Sequence, residues 1–270
     1  MTWVAAVARL RARREAGVLV TVATVRGHAP RDAGAKLVVG RTETWGSIGG
    51  GNVEAVAIDR AREMIAAANP EPPELIDFAL TDKVANRHGV QCCGGTVSVL
   101  LEALPVVPAV AIFGVGHVGL ELARVLARQD LDLHLIDTRA DVLAEQRLGV
   151  LADAVAQVRV HHTPLLPEEV LEELPRGTHV LIMTHDHAED AALCDAALRT
   201  THLGSIGLIG SAAKWVRFRK RLAGEGGHDE AALARIKTPI GLADLTGKEP
   251  ATIAVSVAAD VLRTLEAGAY

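Results

Sequence analysis

The sequence predicts an α/β chain in two parts, a small N-terminal α+β domain over 1–104 and a parallel-sheet domain over 109–270. Three observations carry that prediction. In the first part, runs rich in β-branched residues flank only two helical patterns. In the second part, strand and helix patterns alternate, as they do when a parallel sheet carries helices on its faces. Between them Pro105 and Pro108 interrupt both helix and central-strand patterns, so 103–110 reads as a short, stiff connection.

In chain order, 3–15 repeats apolar residues at helical spacing. "GVLVTVATVRG" and "AGAKLVVG" read as strands bounded by glycine. "NVEAVAIDRAREMIAAA" is a helix that opens directly after Gly49, Gly50 and Gly51, with Asn52 suited to its cap and Glu54 suited to its positive dipole end. "ELIDFAL" and "GTVSVLLEAL" complete the strands of the first part. The second part reads strand "AVAIFG", helix "HVGLELARVLARQ", strand "DLHLIDT", strand "HVLIMT" and helix "AEDAALCDAALRT". It continues with strand "SIGLIG", helix "AAKWVRFRKRLA" and a last helix opening at Pro250, a residue suited to a first helical turn.

Composition excludes several function classes. Aromatic residues make up only 3% of the 270 residues, too few for base-stacking platforms. A net charge of -5 lacks the broad basic surface that nucleic-acid binding uses. The N-terminal basic cluster follows the apolar stretch, the reverse of a secretory signal, and no apolar run approaches the roughly 20 residues of a membrane span. Three cysteines make no disulfide framework. These readings predict a cytoplasmic protein without nucleic-acid partners or stable membrane insertion.

Four motifs carry chemistry. "FGVGHVG" fits G-x-G-x-x-G at Gly114, Gly116 and Gly119, after a strand and into a helix, with Asp137 at the end of the next strand. That is the context of a Rossmann dinucleotide site. Gly114 makes the tight turn, Gly116 admits a pyrophosphate, Gly119 lets helix and strand pack, and Asp137 accepts from ribose hydroxyls. Arg139 leaves NAD and NADP both open. "THDHAED" follows the strand "HVLIMT", at the edge where open α/β sheets bind ligands, which makes His185 a cofactor-side candidate. Asp186 with Glu189 also fits a capping box, and His185 with His187 lacks a convergent metal-ligand spacing.

In the first part, Gly49 to Gly51 ahead of a helix form a candidate anion nest, with Arg31 and Lys36 as nearby positive charge. "QCCGG" sets Cys92 and Cys93 side by side. Adjacent Cα atoms lie about 3.8 Å apart, below the usual disulfide span of about 4.4–6.8 Å. A zinc or thioredoxin motif needs a spacing absent here. Thiolate chemistry and burial as small apolar residues both remain open. Cys194, on an apolar helix face, reads as core.

Taken in order, "RGHAPRDAGAKLVV", "GSIGGGNVEAVAIDRAR", "QCCGGTVSVLLE", "FGVGHVGLELARVL", "MTHDHAED", "IGLIGSAAKW" and "TPIGL…PATIAVSVAADVL" resemble the xanthine dehydrogenase accessory protein (XdhC/CoxI) family. The resemblance runs over about 23–262, and the double cysteine is similar to the branch serving xanthine dehydrogenase itself. It implies a chaperone that binds molybdenum cofactor (molybdopterin), holds it while a cysteine desulfurase supports sulfuration, and delivers it to apo-xanthine dehydrogenase, working as a homodimer. By motif, Cys93 is the implied catalytic and metal-contacting residue, Cys92 its neighbour, and Gly49, Gly50, Gly51 and Arg31 the cofactor-binding groups. The residues themselves leave two alternatives: an NAD(P)-dependent oxidoreductase, and a non-catalytic nucleotide sensor.

Overall fold

The computed structural model describes residues 1–67, 70–80 and 95–266, and divides into two units, 1–107 and 108–270.

The first unit opens with α1 (Trp3–Arg13), whose Thr2 side chain accepts from the Ala5 amide. The helix stops short of the predicted 15 because Arg14 turns left-handed at φ 53°. Strands β1 (Gly17–Arg26), β2 (Lys36–Gly40) and β3 (Thr44–Gly46) precede α2 (Gly51–Ala66), followed by β4 (Glu74–Ala79) and β5 (Thr96–Leu104). They form an antiparallel sheet in the order β3-β2-β1-β5-β4. Alternation along β1 sends Val18, Val20 and Val22 toward Val53, Ala57, Ala61 and Met64 of α2. Leu19 faces the other way, with Val38, against Ala6 and Leu10 of α1. A bulge between Val22 and Thr24 shifts the β1–β5 register near its end.

The second unit runs β6 (Ala109–Phe113), α3 (His117–Leu126), β7 (Asp132–Asp137), α4 (Glu145–Leu148), β8 (Gln157–His162), α5 (Val170–Glu173) and β9 (His179–Ile182). It continues with α6 (His187–Arg199), β10 (Ser205–Leu208), α7 (Ala212–Gly224), α8 (Glu230–Leu233), β11 (Ile236–Lys237) and α9 (Pro250–Glu266). The six strands are all parallel, in the order β11-β10-β9-β6-β7-β8. Numbered from β6, this is the 3-2-1-4-5-6 order of a Rossmann sheet, and its switch point lies between β6 and β9. One face packs under α3 and α9 through Ile112, Leu122, Leu133 and Val257. The other packs under α5, α6 and α7 through Phe113, Leu171, Leu193 and Phe218. The mixed α/β architecture is the one expected.

Three strands, β3, β8 and β11, escaped the sequence reading. Most residues of β8 are exposed, so "QVRVHH" has no apolar run to betray it, and β3 and β11 are only three and two residues long. Among the described residues, no helix is long and apolar enough to cross a membrane.

Candidate functional site

The glycine fingerprint spans β6 to α3. Gly114 has φ 101°, and a Cβ there would lie 2.4 Å from the Met183 carbonyl oxygen, so only glycine fits between neighbouring strand ends. A Cβ on Gly119 would meet the Gly114 carbonyl at 2.1 Å, which is the close helix–strand approach expected of the third glycine. Gly116, the N-cap of α3, differs: a Cβ there would meet nothing within 4 Å. Its outer face is open where a ligand would approach.

Asp137 ends β7 and is only 3% exposed. Its Oδ2 accepts from the Val115 amide at 2.8 Å and from Arg139 Nη2 at 2.9 Å. Its Oδ1 accepts from the Arg139 amide at 3.0 Å and from Arg139 Nε at 2.9 Å. Two carboxylate oxygens offer about four acceptor positions, so these bonds use them all. Burial opposes ionisation of Asp137, but the bonds from Arg139 and Val115 outweigh it and hold the carboxyl below its ordinary range.

On the far side of the switch point, β9 runs into the "THDHAED" turn. His185, Asp186 and His187 are exposed, and the Asp186 side chain caps α6 by accepting from the Ala188 and Glu189 amides. Burial, with Asp137 and other acids nearby, pushes the half-buried Glu189 carboxyl up. Beneath the turn sits an ion pair that the sequence reading missed. Asp190 is fully buried, and its Oδ2 pairs with Lys214 Nζ, which also donates to the Ile209 carbonyl at 2.9 Å. Asp190 Oδ1 accepts from the Thr184 amide at 3.0 Å and lies 2.8 Å from the Thr184 hydroxyl. The pair therefore ties the ends of β9 and β10 to α6 and α7. A signal was present: Lys214 shares a helical stripe with buried Phe218 and Leu222, and a lysine there needs a buried partner.

In the first unit, the loop 27–35, the turn 47–50, Leu80 after β4 and Gly95 before β5 lie at one end of the sheet. The Leu80 amide donates to the Gly95 carbonyl at 2.8 Å. A Cβ on Gly95 would lie 2.4 Å from the His28 carbonyl oxygen. Gly49 faces Pro30 and Arg31: a Cβ there would meet Pro30 Cβ at 2.9 Å and Arg31 Cγ at 3.4 Å. Gly49, Gly50 and Gly51 all have positive φ, at 121°, 72° and 62°. The turn they make is already occupied by an acid. Glu54 Oε2 accepts from the Ser47 hydroxyl at 2.6 Å, the Ile48 amide at 2.9 Å and the Gly50 amide at 3.1 Å. Asn52 is not the cap. It lies buried inside α2, Gly50 takes the N-cap position, and Glu54 supplies the acceptor. Arg31 is exposed, whereas Lys36 reaches the Thr21 hydroxyl and lies over the Trp3 ring. Cys92 and Cys93 lie outside the described residues. Cys194 is buried on α6, and burial pushes its thiol up to about 12. Among the described residues, no three His, Cys, Asp or Glu side chains gather as a metal site.

These two sites can be set beside known proteins. Residues 110–261 match the family model described as the XdhC Rossmann domain, and 10–78 match that of the XdhC and CoxI family. The uncharacterized protein YqeB of Escherichia coli (strain K12) is 28% identical over 238 residues, which cover 88% of this chain. The chain spans 41% of that relative's length. A crystal structure described as a xanthine dehydrogenase from Bacillus halodurans is 18% identical, at a TM-score of 0.49, covering 99% of this chain and 96% of that one. With the Rossmann match alone spanning more than half of its residues, the chain belongs to the XdhC family, which is associated with xanthine dehydrogenase maturation.

Proposed function

We propose that this protein binds molybdenum cofactor as cargo, supports its sulfuration with a cysteine desulfurase, and delivers it to apo-xanthine dehydrogenase, acting as a homodimer. The observation that carries this reading is family membership over both units. The first unit's chemistry suits the cargo. Arg31 offers an exposed cation, and a Cβ on Gly50 would meet nothing within 4 Å, so a ligand can approach backbone there. A thiolate at Cys93, with Cys92 beside it, is a soft donor suited to a sulfur-rich metal centre. Glu54 adds a condition: an anionic group of the cargo reaches the Ile48 and Gly50 amides only by displacing that carboxylate.

The test is metal and pterin analysis of protein co-expressed with an active cofactor pathway, followed by xanthine dehydrogenase activity in cells carrying Cys93→Ala. The expected result is bound molybdopterin in the parent protein and a loss of cofactor retention or of active enzyme in the variant. Normal maturation with Cys93→Ala would remove Cys93 from the reading.

A second reading concerns the C-terminal unit, which the strand order and the open face of Gly116 favour as an NAD or NADP site. It covers both the oxidoreductase and the nucleotide-sensor alternatives. A substrate-dependent change at the nicotinamide absorbance band would favour the first. Nucleotide binding that alters molybdopterin affinity would favour the second.

A further inference from the structure

A cavity of about 350 Å³ opens in the C-terminal unit, lined by His117, Leu120 and Glu121 of α3, Arg147 of α4, and Glu249, Pro250 and Ala251 at the start of α9. Its size is at the lower end of small-molecule sites. Three features give it a chemical character. Arg147 Nε is buried and has no hydrogen-bond partner among the described residues. Its Nη2 makes only a long contact, 3.4 Å, with the carbonyl of Val115, the residue between the first two fingerprint glycines. The guanidinium thus sits over the glycine turn with donors to spare. The first turns of α3 and α9 both border the same space; the leading amides of a helix have no partner within it, and in α9, which opens with Pro250, they begin at Ala251. The positive ends of two helix dipoles therefore add to the Arg147 charge. Of the two acids at the cavity, Glu121 is bound by Arg124 at 3.0 Å, which leaves Glu249 as the opposing charge.

Asp137 adds a separate observation. Its acceptor positions are filled by Val115 and Arg139, so a ribose diol can reach it only by displacing these donors.

We propose that this cavity binds a phosphate or diphosphate group, with Arg147 as its cationic clamp, and that the ligand is recognised without reading its ribose diol through Asp137. The inference deepens the nucleotide reading of the C-terminal unit and is independent of cofactor delivery by the first. A planar guanidinium suits phosphate oxygens because it offers paired donors in a fixed fork. A nucleoside diphosphate and inorganic pyrophosphate present the same chemistry to that fork, and the test separates them.

Isothermal titration of the full-length protein at low salt, with inorganic pyrophosphate, ADP, 2′-deoxy-ADP and NAD as separate probes, tests the proposal. Pyrophosphate and ADP are expected to bind, with ADP and 2′-deoxy-ADP within about twofold of each other. Arg147→Ala is expected to weaken both by roughly 10- to 100-fold. Glu249→Gln, which removes the opposing charge, is expected to tighten binding about threefold and keeps the test informative if Arg147→Ala fails to fold. Absence of pyrophosphate and ADP binding to the parent protein would overturn the proposal, as would binding of either that Arg147→Ala leaves unchanged. A preference of about tenfold or more for ADP over 2′-deoxy-ADP would overturn diol-independent recognition. Pyrophosphate and ADP binding without NAD binding would uphold the clamp and remove the NAD reading. NAD binding indifferent to Arg147 would do the reverse.

Discussion

The two units each hold a carboxylate at a glycine turn, and they hold it differently. In the C-terminal unit, Asp137 beside the fingerprint is braced by Arg139, and Asp190 beneath the β9 turn is braced by Lys214. In the N-terminal unit, Glu54 is held at the triple glycine by a hydroxyl and two amides, all neutral donors. A cation-braced acid carries little net field and is costly to move, because moving it strands a charge of the opposite sign. An acid held by neutral donors keeps its full negative charge and can be exchanged for another anion with the same donors. The C-terminal turn therefore holds a braced acid beside the open face of Gly116. The N-terminal turn instead has its own acid in the position a ligand anion would take.

Breaking the buried pair should have the largest effect. Asp190→Ala leaves Lys214 buried without its partner and should cost about 3–5 kcal/mol. Replacing both residues by leucine-sized side chains should recover most of that loss. Urea unfolding checks this, and a single variant that loses less than about 1 kcal/mol would mean that the pair braces nothing.

Asp137→Asn should cost less, about 2–3 kcal/mol, because its charge-assisted bonds from Arg139 weaken while an acceptor remains. Here pH sharpens the comparison. The folded-state pKa of Asp137 lies below the ordinary carboxylate value of about 3.9, so its stabilisation is present above that pH. It is lost as pH falls through the folded value. The stability gap between parent and variant should accordingly be full at pH 7 and close on acidification. A gap that does not narrow as the pH is lowered would contradict the assignment.

The smallest effect is expected at Glu54. Glu54→Gln keeps an acceptor facing the Ser47, Ile48 and Gly50 donors and should cost about 1 kcal/mol or less. A loss as large as that of Asp137→Asn would mean that the two turns hold their acids alike after all.

Much of the fold was legible because its signals are local. The fully buried run 109–113 announced a central parallel strand, and the glycine spacing after it announced the turn into α3. The edge strand β8 was not legible, since an exposed strand has no face that must be apolar. At the sites, the spacing that marked Gly114, Gly116 and Gly119 could not reveal that Arg139 would fold onto Asp137. The sequence leaves Arg139 compatible with a 2′-phosphate, and the conformation of the turn sets it on Asp137. The Asp186–Glu189 spacing predicts a helix cap and carries no sign of the partner of Asp190 beside it. Its partner Lys214 comes from another helix.

By itself, the sequence determined the class of each unit, the order of most elements and the position of both glycine turns. Each of these depends on periodicity or backbone freedom within a few neighbouring residues. The local conformation of each turn set Arg139 on Asp137 and Glu54 on the glycine amides, and tertiary structure decided the distant meetings, Lys214 on Asp190 and Arg147 over the fingerprint turn. The physical reason is that hydrogen bonds and ion pairs act over about 3 Å, and outside the shortest loops only packing brings their partners so close.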